Sequence, residues 1–592
     1  LPEIWSHKVG KQNDRTKIKH QTAMKKNESN QQAFIRKIAG FFMKSWQKTV
    51  IVAIGFAATI WFLVRVIPKP SRASYPCQRA AFPLASGFIL WLISLFAIKP
   101  AMSKIKALFP SRVWIGSSIA MLMLGGFMVW TVAYYSNNII AVNAVPATNY
   151  NYTPGKSNEP IGVAKGIFPG RVVWARDPKA TKWKGNWKAE TDQYWLDENT
   201  DQKRVENMLE TTITQLTGTK NSEQAWSAIF KFHNEKVRGM KNIGYKSGEI
   251  IALKPNFNNT YGPVKNDNWT DVSPQLMLAM VRQLVYQAKV APKDIVIYDV
   301  RRFIPHYLLP KIWSEFKEVR FVQGEAPKET QPKNPGYGTY QGLEAPVWVQ
   351  GITYSNGKYD KARNIPKQVF DATYLINMAM LKAHSYPYNN MEDGDEGQTG
   401  ISMCGKNHFG SIEGTPELHA AINTNQEGLK NVYSPMVDLA ASPNLGAKTI
   451  LYLLDGLYCG RKWKTYPLHF PNPPFNNAVE PYGNTNWPAS ILASLDGVAL
   501  DCVGLDIYNS QSKNNIDKEG HSRILVRENA DEYLKEMAQA NNPPSGTKYM
   551  QNGKLLNSLG VMEHWDNDLS RKYSRNIDAK KGKGIELIYM PL

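Results

Sequence analysis

The chain contains neither a G-x-G-x-x-G turn nor a G-x-x-x-x-G-K-[ST] loop, so the two common backbone cradles for nucleotide phosphates are missing and nucleotide cofactors have no positive support. Cysteine is scarce. Cys77, Cys404, Cys459 and Cys502 are the only four in 592 residues. None has the C-x-x-C spacing of a zinc or ferredoxin-type centre, so no iron–sulfur cluster is implied. They are expected as small buried residues, with a disulfide among the last three left open. No internal repeat or low-complexity tract is present, and H-x-x-x-H and H-E-x-x-H are absent.

Acidic residues are missing mainly from one region. Residues 1–135 hold 19 Lys or Arg against 3 Asp or Glu, a balance of +16 out of the total +21. The remaining 457 residues carry only +5, an ordinary surface balance. Counterion-release binding to nucleic acid needs a dense basic face, which this distribution does not supply, so no nucleic-acid partner is expected.

Within that basic region lie three apolar runs, Thr49–Val64, Ala80–Ile98 and Val113–Tyr134. A helix of about 20 such residues spans a bilayer. Lys and Arg crowd the first 48 residues and the loop at 99–112, and none occurs between Tyr134 and Lys156. The positive-inside rule then predicts a basic cytoplasmic tail (1–48), three transmembrane helices (49–135), a linker (136–160) and an extracytoplasmic domain (161–592). The corresponding expectation is a multi-pass membrane protein, with the lipid bilayer as partner and the domain periplasmic at a bacterial inner membrane. Cys77, in the first outer loop, is expected as a structural or incidental thiol, favoured about two to one over one that carries a cofactor, a lipid or a partner bond.

The large domain reads as α/β. Glu249–Leu253 is a short buried-strand run, and Ser273-Pro274 supplies an N-cap and first-turn proline for a helix with apolar residues every four positions. Asp294–Tyr298 returns as a strand, and further strand-like runs occur at Tyr374–Met380, Thr449–Leu454 and Ser490–Ala493. The prediction is a Rossmann-like layered domain with a largely parallel sheet.

Ligands of open parallel sheets bind beyond the carboxyl ends of the strands. The polar residues expected there are Lys254 and Asn256, Asp299, Lys382 and His384, Asp455, and Asp496 and Asp501. Between the third and fourth of these strands lies Gly405-Lys406-Asn407-His408-Phe409-Gly410, which joins a cation, an amide and an imidazole to glycines that allow close backbone approach. Two chemistries fit: lysines around an anion, favoured about two to one, or His384 and His408 with aspartates around a metal. In the anion version His408 and Asp496 serve as acid or base. The Trp174–Trp195 cluster is read as packing, and Glu563-His564 as an edge of the site.

Ile251 with Lys254-Pro255-Asn256, Leu381-Lys382-Ala383-His384, Gly405 to Gly410 and Ser494-Leu495-Asp496-Gly497-Val498-Ala499-Leu500-Asp501 together resemble the family catalogued as domain of unknown function 362. That family carries no assigned biochemical activity. Some members have a ferredoxin-type segment, whose cysteines this chain lacks. The family's architecture is distantly similar to nickel-pincer lactate racemase, which implies Lys382, His384, Lys406 and His408 as cofactor contacts, by fold analogy alone. Two functions are expected as alternatives: a protein binding a small anionic ligand, cofactor or metal at the strand ends, or a non-catalytic subunit of a larger membrane complex.

Overall fold

A computed structural model describes residues 59–61, 152 and 154–592, the last range interrupted at 187–190, 258–267, 325–341, 385–400, 422–430, 461–465, 477–485, 512–525, 527–529 and 581. Contacts divide the chain between Pro146 and Ala147, and the architecture below is that of the second unit.

Its centre is a ten-stranded sheet. The strands are β1 (Arg171–Arg176), β2 (Ile251–Pro255), β3 (Ile295–Asp299), β4 (Arg320–Gln323), β5 (Leu343–Glu344), β6 (Tyr374–Lys382), β7 (Thr449–Gly460), β8 (Pro467–Leu468), β9 (Ser490–Ser494) and β10 (Glu586–Pro591). Their spatial order is β10-β1-β9-β7-β6-β2-β3-β4-β5, with β8 paired to β7. Six neighbours from β7 to β5 run parallel. The sheet is nevertheless mixed, which corrects the largely parallel expectation: β9 is antiparallel to both β7 and β1, and β8 is antiparallel to β7. Composition signals a buried strand but not its direction, and the direction of β9 decides where Asp496 lies.

Successive strand residues point to opposite faces, and both faces are covered. Val172 and Trp174 join one core, and Val173 and Ala175 join the other. Helices α1 (Gln202–Thr217), α2 (Ser222–Val237) and α3 (Pro274–Arg282) cover the second face. The first face lies under α4 (Cys404–Asn407), α5 (Pro435–Ala441), α6 (Gly497–Ser510) and α7 (Glu532–Ala538). The start signal at Ser273-Pro274 acts as read from sequence. The Ser273 hydroxyl accepts from Gln275 N at 3.3 Å, with Pro274 in the first turn. At the end of α1, Gly218 takes the left-handed conformation, φ 66°, that favours glycine.

No helix among the described residues is long and apolar enough to cross a membrane. The longest, α1 and α2, have 16 residues each and bury only one side, whereas a span needs about 20 apolar ones. The expected three transmembrane helices, the membrane anchoring and the periplasmic placement built on them are therefore not upheld. Apart from a helical turn at 59–61, the segments 49–64, 80–98 and 113–134 lie outside the described residues, as do the tail and Cys77. Part of the segment read as a linker packs on the folded domain. Tyr152 is buried, its N–H donates to Val526 O at 3.2 Å, and Asn158 N donates to His564 O at 3.0 Å. The remaining cysteines, Cys404, Cys459 and Cys502, are free and buried.

Candidate functional site

The end of β2 carries the first of three groupings into which the expected residues other than Asp455, Asp496 and Asp501 fall. Lys254 Nζ lies 2.8 Å from Asp299 Oδ2 at the end of β3 and 2.7 Å from Pro255 O. Burial holds the Lys254 ammonium below the usual lysine range, with Asp299 pulling the other way. Asp299 is fixed by two backbone donors, Arg301 N and Arg302 N at 2.8 and 2.9 Å. Asn407 then ties this pair to the sheet: its amide nitrogen donates to Lys254 O and Asn377 Oδ1, both at 2.8 Å, and its oxygen accepts from Asn256 Nδ2 at 3.3 Å. Asn377 closes the chain by donating to Cys404 O at 3.0 Å. Buried polar groups joined this completely hold α4 against β2 and β6.

Asn377 was not anticipated. The available signal was a single amide in the middle of Tyr374–Met380, an otherwise apolar and fully buried strand.

The second grouping lies where β6 ends. Lys406 Nζ is 3.4 Å from His384 Nε2 and 4.7 Å from the Phe409 ring centroid. Lys382 is two residues before His384 along the chain. Relative exposures are 1% for Lys382, 5% for Lys406 and 7% for His384, so three nitrogen-bearing side chains are buried around one strand end. This edge is the carboxyl end of the parallel run, where the sequence placed a ligand.

His408 forms the third grouping. Its Nδ1 is 3.3 Å from Ser411 Oγ, which lies 2.9 Å from Tyr298 Oη. The other nitrogen, Nε2, is buried without a hydrogen-bond partner. Burial, then the charge of Lys254, pushes the imidazole down to about 3, so it is neutral at physiological pH. Ser411 and Tyr298 had no signal in the sequence.

The three remaining carboxylates anchor backbone. Asp501 accepts from Cys404 N at 2.9 Å, Gly405 N at 2.8 Å and Tyr533 Oη at 2.8 Å, holding the start of α4. Asp455 accepts from Ser273 N at 2.6 Å and Leu457 N at 2.9 Å, which fixes the start of α3. It sits within β7, opposite Met380, and not at a strand end. Asp496 caps α6 through Ala499 N at 3.0 Å and also accepts from Lys165 N and Val561 N at 2.9 and 3.1 Å. Because β9 is reversed, with Ser494 opposite Tyr452 and Ser490 opposite Gly456, Asp496 lies toward the amino end of β7. No hydrogen bond joins it to His408. Burial pushes Asp496 and Asp501 up to about 6 and Asp455 up to about 7.

Among the described residues, no group of three or more His, Cys, Asp or Glu is placed to hold a metal ion. His564, read as an edge of the site, instead binds Asp506 at 2.7 Å and Tyr152 Oη at 2.9 Å. Glu563 accepts from Ser574 N and Ile585 N.

Every motif of this arrangement from Lys254 to Asp501 falls in one segment. Residues 251–506 match the family model described as Domain of unknown function (DUF362). The DUF362 match runs from the start of β2 into α6, so it contains all three groupings and supports the resemblance read from the motifs. Comparisons with curated proteins and with solved structures gave no match.

Proposed function

We propose that this domain binds a small anionic ligand at the carboxyl end of β6, with Lys406 as the principal cation and His384 as its titratable neighbour. The observation that carries this reading is the 3.4 Å approach of Lys406 Nζ to His384 Nε2 in a buried setting. An anion that bridges the two side chains can accept a hydrogen bond from each, which a neutral apolar ligand cannot. Lys254, ion-paired with Asp299, donates to Asn407 Oδ1 at 3.4 Å, the same oxygen that accepts from Asn256. The partly exposed Asn256 adds a neutral amide at the rim.

The test is calorimetric titration of the full chain with inorganic phosphate, sulfate and acetate. Saturable binding of at least one anion is expected, weakened tenfold or more by Lys406→Ala. Equal affinity in wild type and Lys406→Ala, or no binding of any of the three anions, would overturn the reading.

A further inference from the structure

A cavity of about 500 Å³ is lined by residues of both cores, Ile450 of one and Val498 and Met537 of the other, and by neither Lys406 nor His384. That volume is in the range that houses small organic ligands. Its walls are mainly apolar, formed by residues such as Phe232, Ile450, Val498 and Met537. Two lysines line it: Lys236, exposed and paired with Glu235 at 3.4 Å, and Lys165, whose chain is exposed but whose ammonium is lowered by burial and drawn the other way by Asp496. His408 also lines it and is almost wholly buried.

The distribution of polar groups gives the ligand's chemistry. Lys236 supplies positive charge where the wall meets water, and Lys165 adds a second amine beside Asp496. His408 presents no charge, and its Nε2 is buried without a partner, an arrangement that costs free energy until something hydrogen-bonds to it. Asn377, also in the wall, has its amide committed to Cys404 O and to the Asn407 side chain. His233, buried and pushed down to about 4, is a second neutral imidazole in the wall, and Thr449 Oγ1 is also buried without a hydrogen-bond partner. The interior therefore offers a few neutral hydrogen-bonding groups in apolar surroundings, and two lysines lie beside them.

We infer that this cavity is a second binding site, for an amphipathic organic carboxylate whose acid group pairs with Lys165 and Lys236 and whose apolar body carries a neutral hydroxyl or carbonyl to His408 Nε2. Nothing in this assignment depends on the anion site at the end of β6.

Dodecanoate, 12-hydroxydodecanoate and 1-dodecanol, each below its aggregation concentration, are the probes, titrated into the full chain by calorimetry. Both acids are expected to bind saturably at one per chain, 12-hydroxydodecanoate at least fivefold more tightly. His408→Phe should remove that preference. The charge-removing variant Lys165→Gln/Lys236→Gln, its circular dichroism spectrum checked against wild type, should weaken both acids at least tenfold and leave dodecanol unchanged. Ala447→Phe fills the cavity and should abolish binding, with its circular dichroism spectrum checked against wild type. The proposal is overturned if neither acid binds saturably, if the double lysine variant binds the acids as wild type does, or if the hydroxyl preference survives in His408→Phe. Lys406→Ala should bind the acids normally, which keeps failure here distinguishable from failure of the anion site.

Discussion

Lys254 Nζ stands 2.8 Å from Asp299 Oδ2, and Gly410 closes over both. A Cβ on residue 410 would come within 2.7 Å of the ammonium and 2.8 Å of the carboxylate, while the Gly410 carbonyl accepts from Val300 N at 2.9 Å. The glycine that read as room for a ligand is thus room for an internal ion pair.

Gly410→Ala should force the pair apart and destabilise the domain by about 1–3 kcal/mol, the usual range for overpacking. Asp299→Asn, which leaves the buried ammonium without its charge partner, should cost about 3–5 kcal/mol. Urea midpoints of the full chain decide both; an unchanged midpoint in Gly410→Ala would show that the contact relaxes without cost.

Asn377 carries a prediction of its own. Asn377→Ala leaves Cys404 O and one donor of Asn407 unmatched in the interior, a loss of about 1–3 kcal/mol. Asn377→Leu should not rescue it, because the unmatched groups belong to the neighbours. Rescue to wild-type stability would mean that α4 is held by packing and not by the amide chain.

Legibility in the sequence followed what is local. The unit from Ile251 to Asp299 could be read because β period, cap residue and helix period all lie within fifty residues and agree. Lys406, Asn407 and His408 stood out because glycines frame them. What could not be read depended on long-range pairing: the reversal of β9, which moves Asp496 toward the amino end of β7, and the use of Asp455 and Asp501 as acceptors for backbone donors 182 and 96–97 residues away. Asp496, read as an acid or base at a strand end, instead caps α6. The apolar runs before residue 135 suggested spans through hydropathy alone, and no described helix supports them.

Asp455 makes the acid side of stability testable. Burial raises it to about 7, above its unfolded value near 3.8, so the folded state holds its proton more tightly. The penalty for ionising it grows as pH rises from about 4 to 7 and is constant beyond. Asp455→Asn, which keeps an acceptor for Ser273 N, should flatten the fall in stability across that window and cost little at pH 8. An unchanged slope between pH 4 and 7 would assign the pH dependence to other groups.

His564 acts in the opposite sense. Burial by itself lowers an imidazole's basicity, but Asp506 at 2.7 Å and Asp531 at 3.9 Å outweigh it and raise His564 to about 10. The folded state therefore favours the protonated ring, and the stabilisation is complete below the unfolded value near 6.5 and lost as pH rises through about 10. Tyr152, bonded to both His564 and Asp531, transmits this to the segment that enters the domain. His564→Gln should cost about 3–5 kcal/mol at pH 6, because two carboxylates lose a buried cation, and the gap to wild type should narrow steadily toward pH 10. Urea unfolding of both proteins at pH 6, 8 and 10 measures the gap directly; a gap independent of pH would mean that the ring is neutral in the folded protein and held by hydrogen bonds alone.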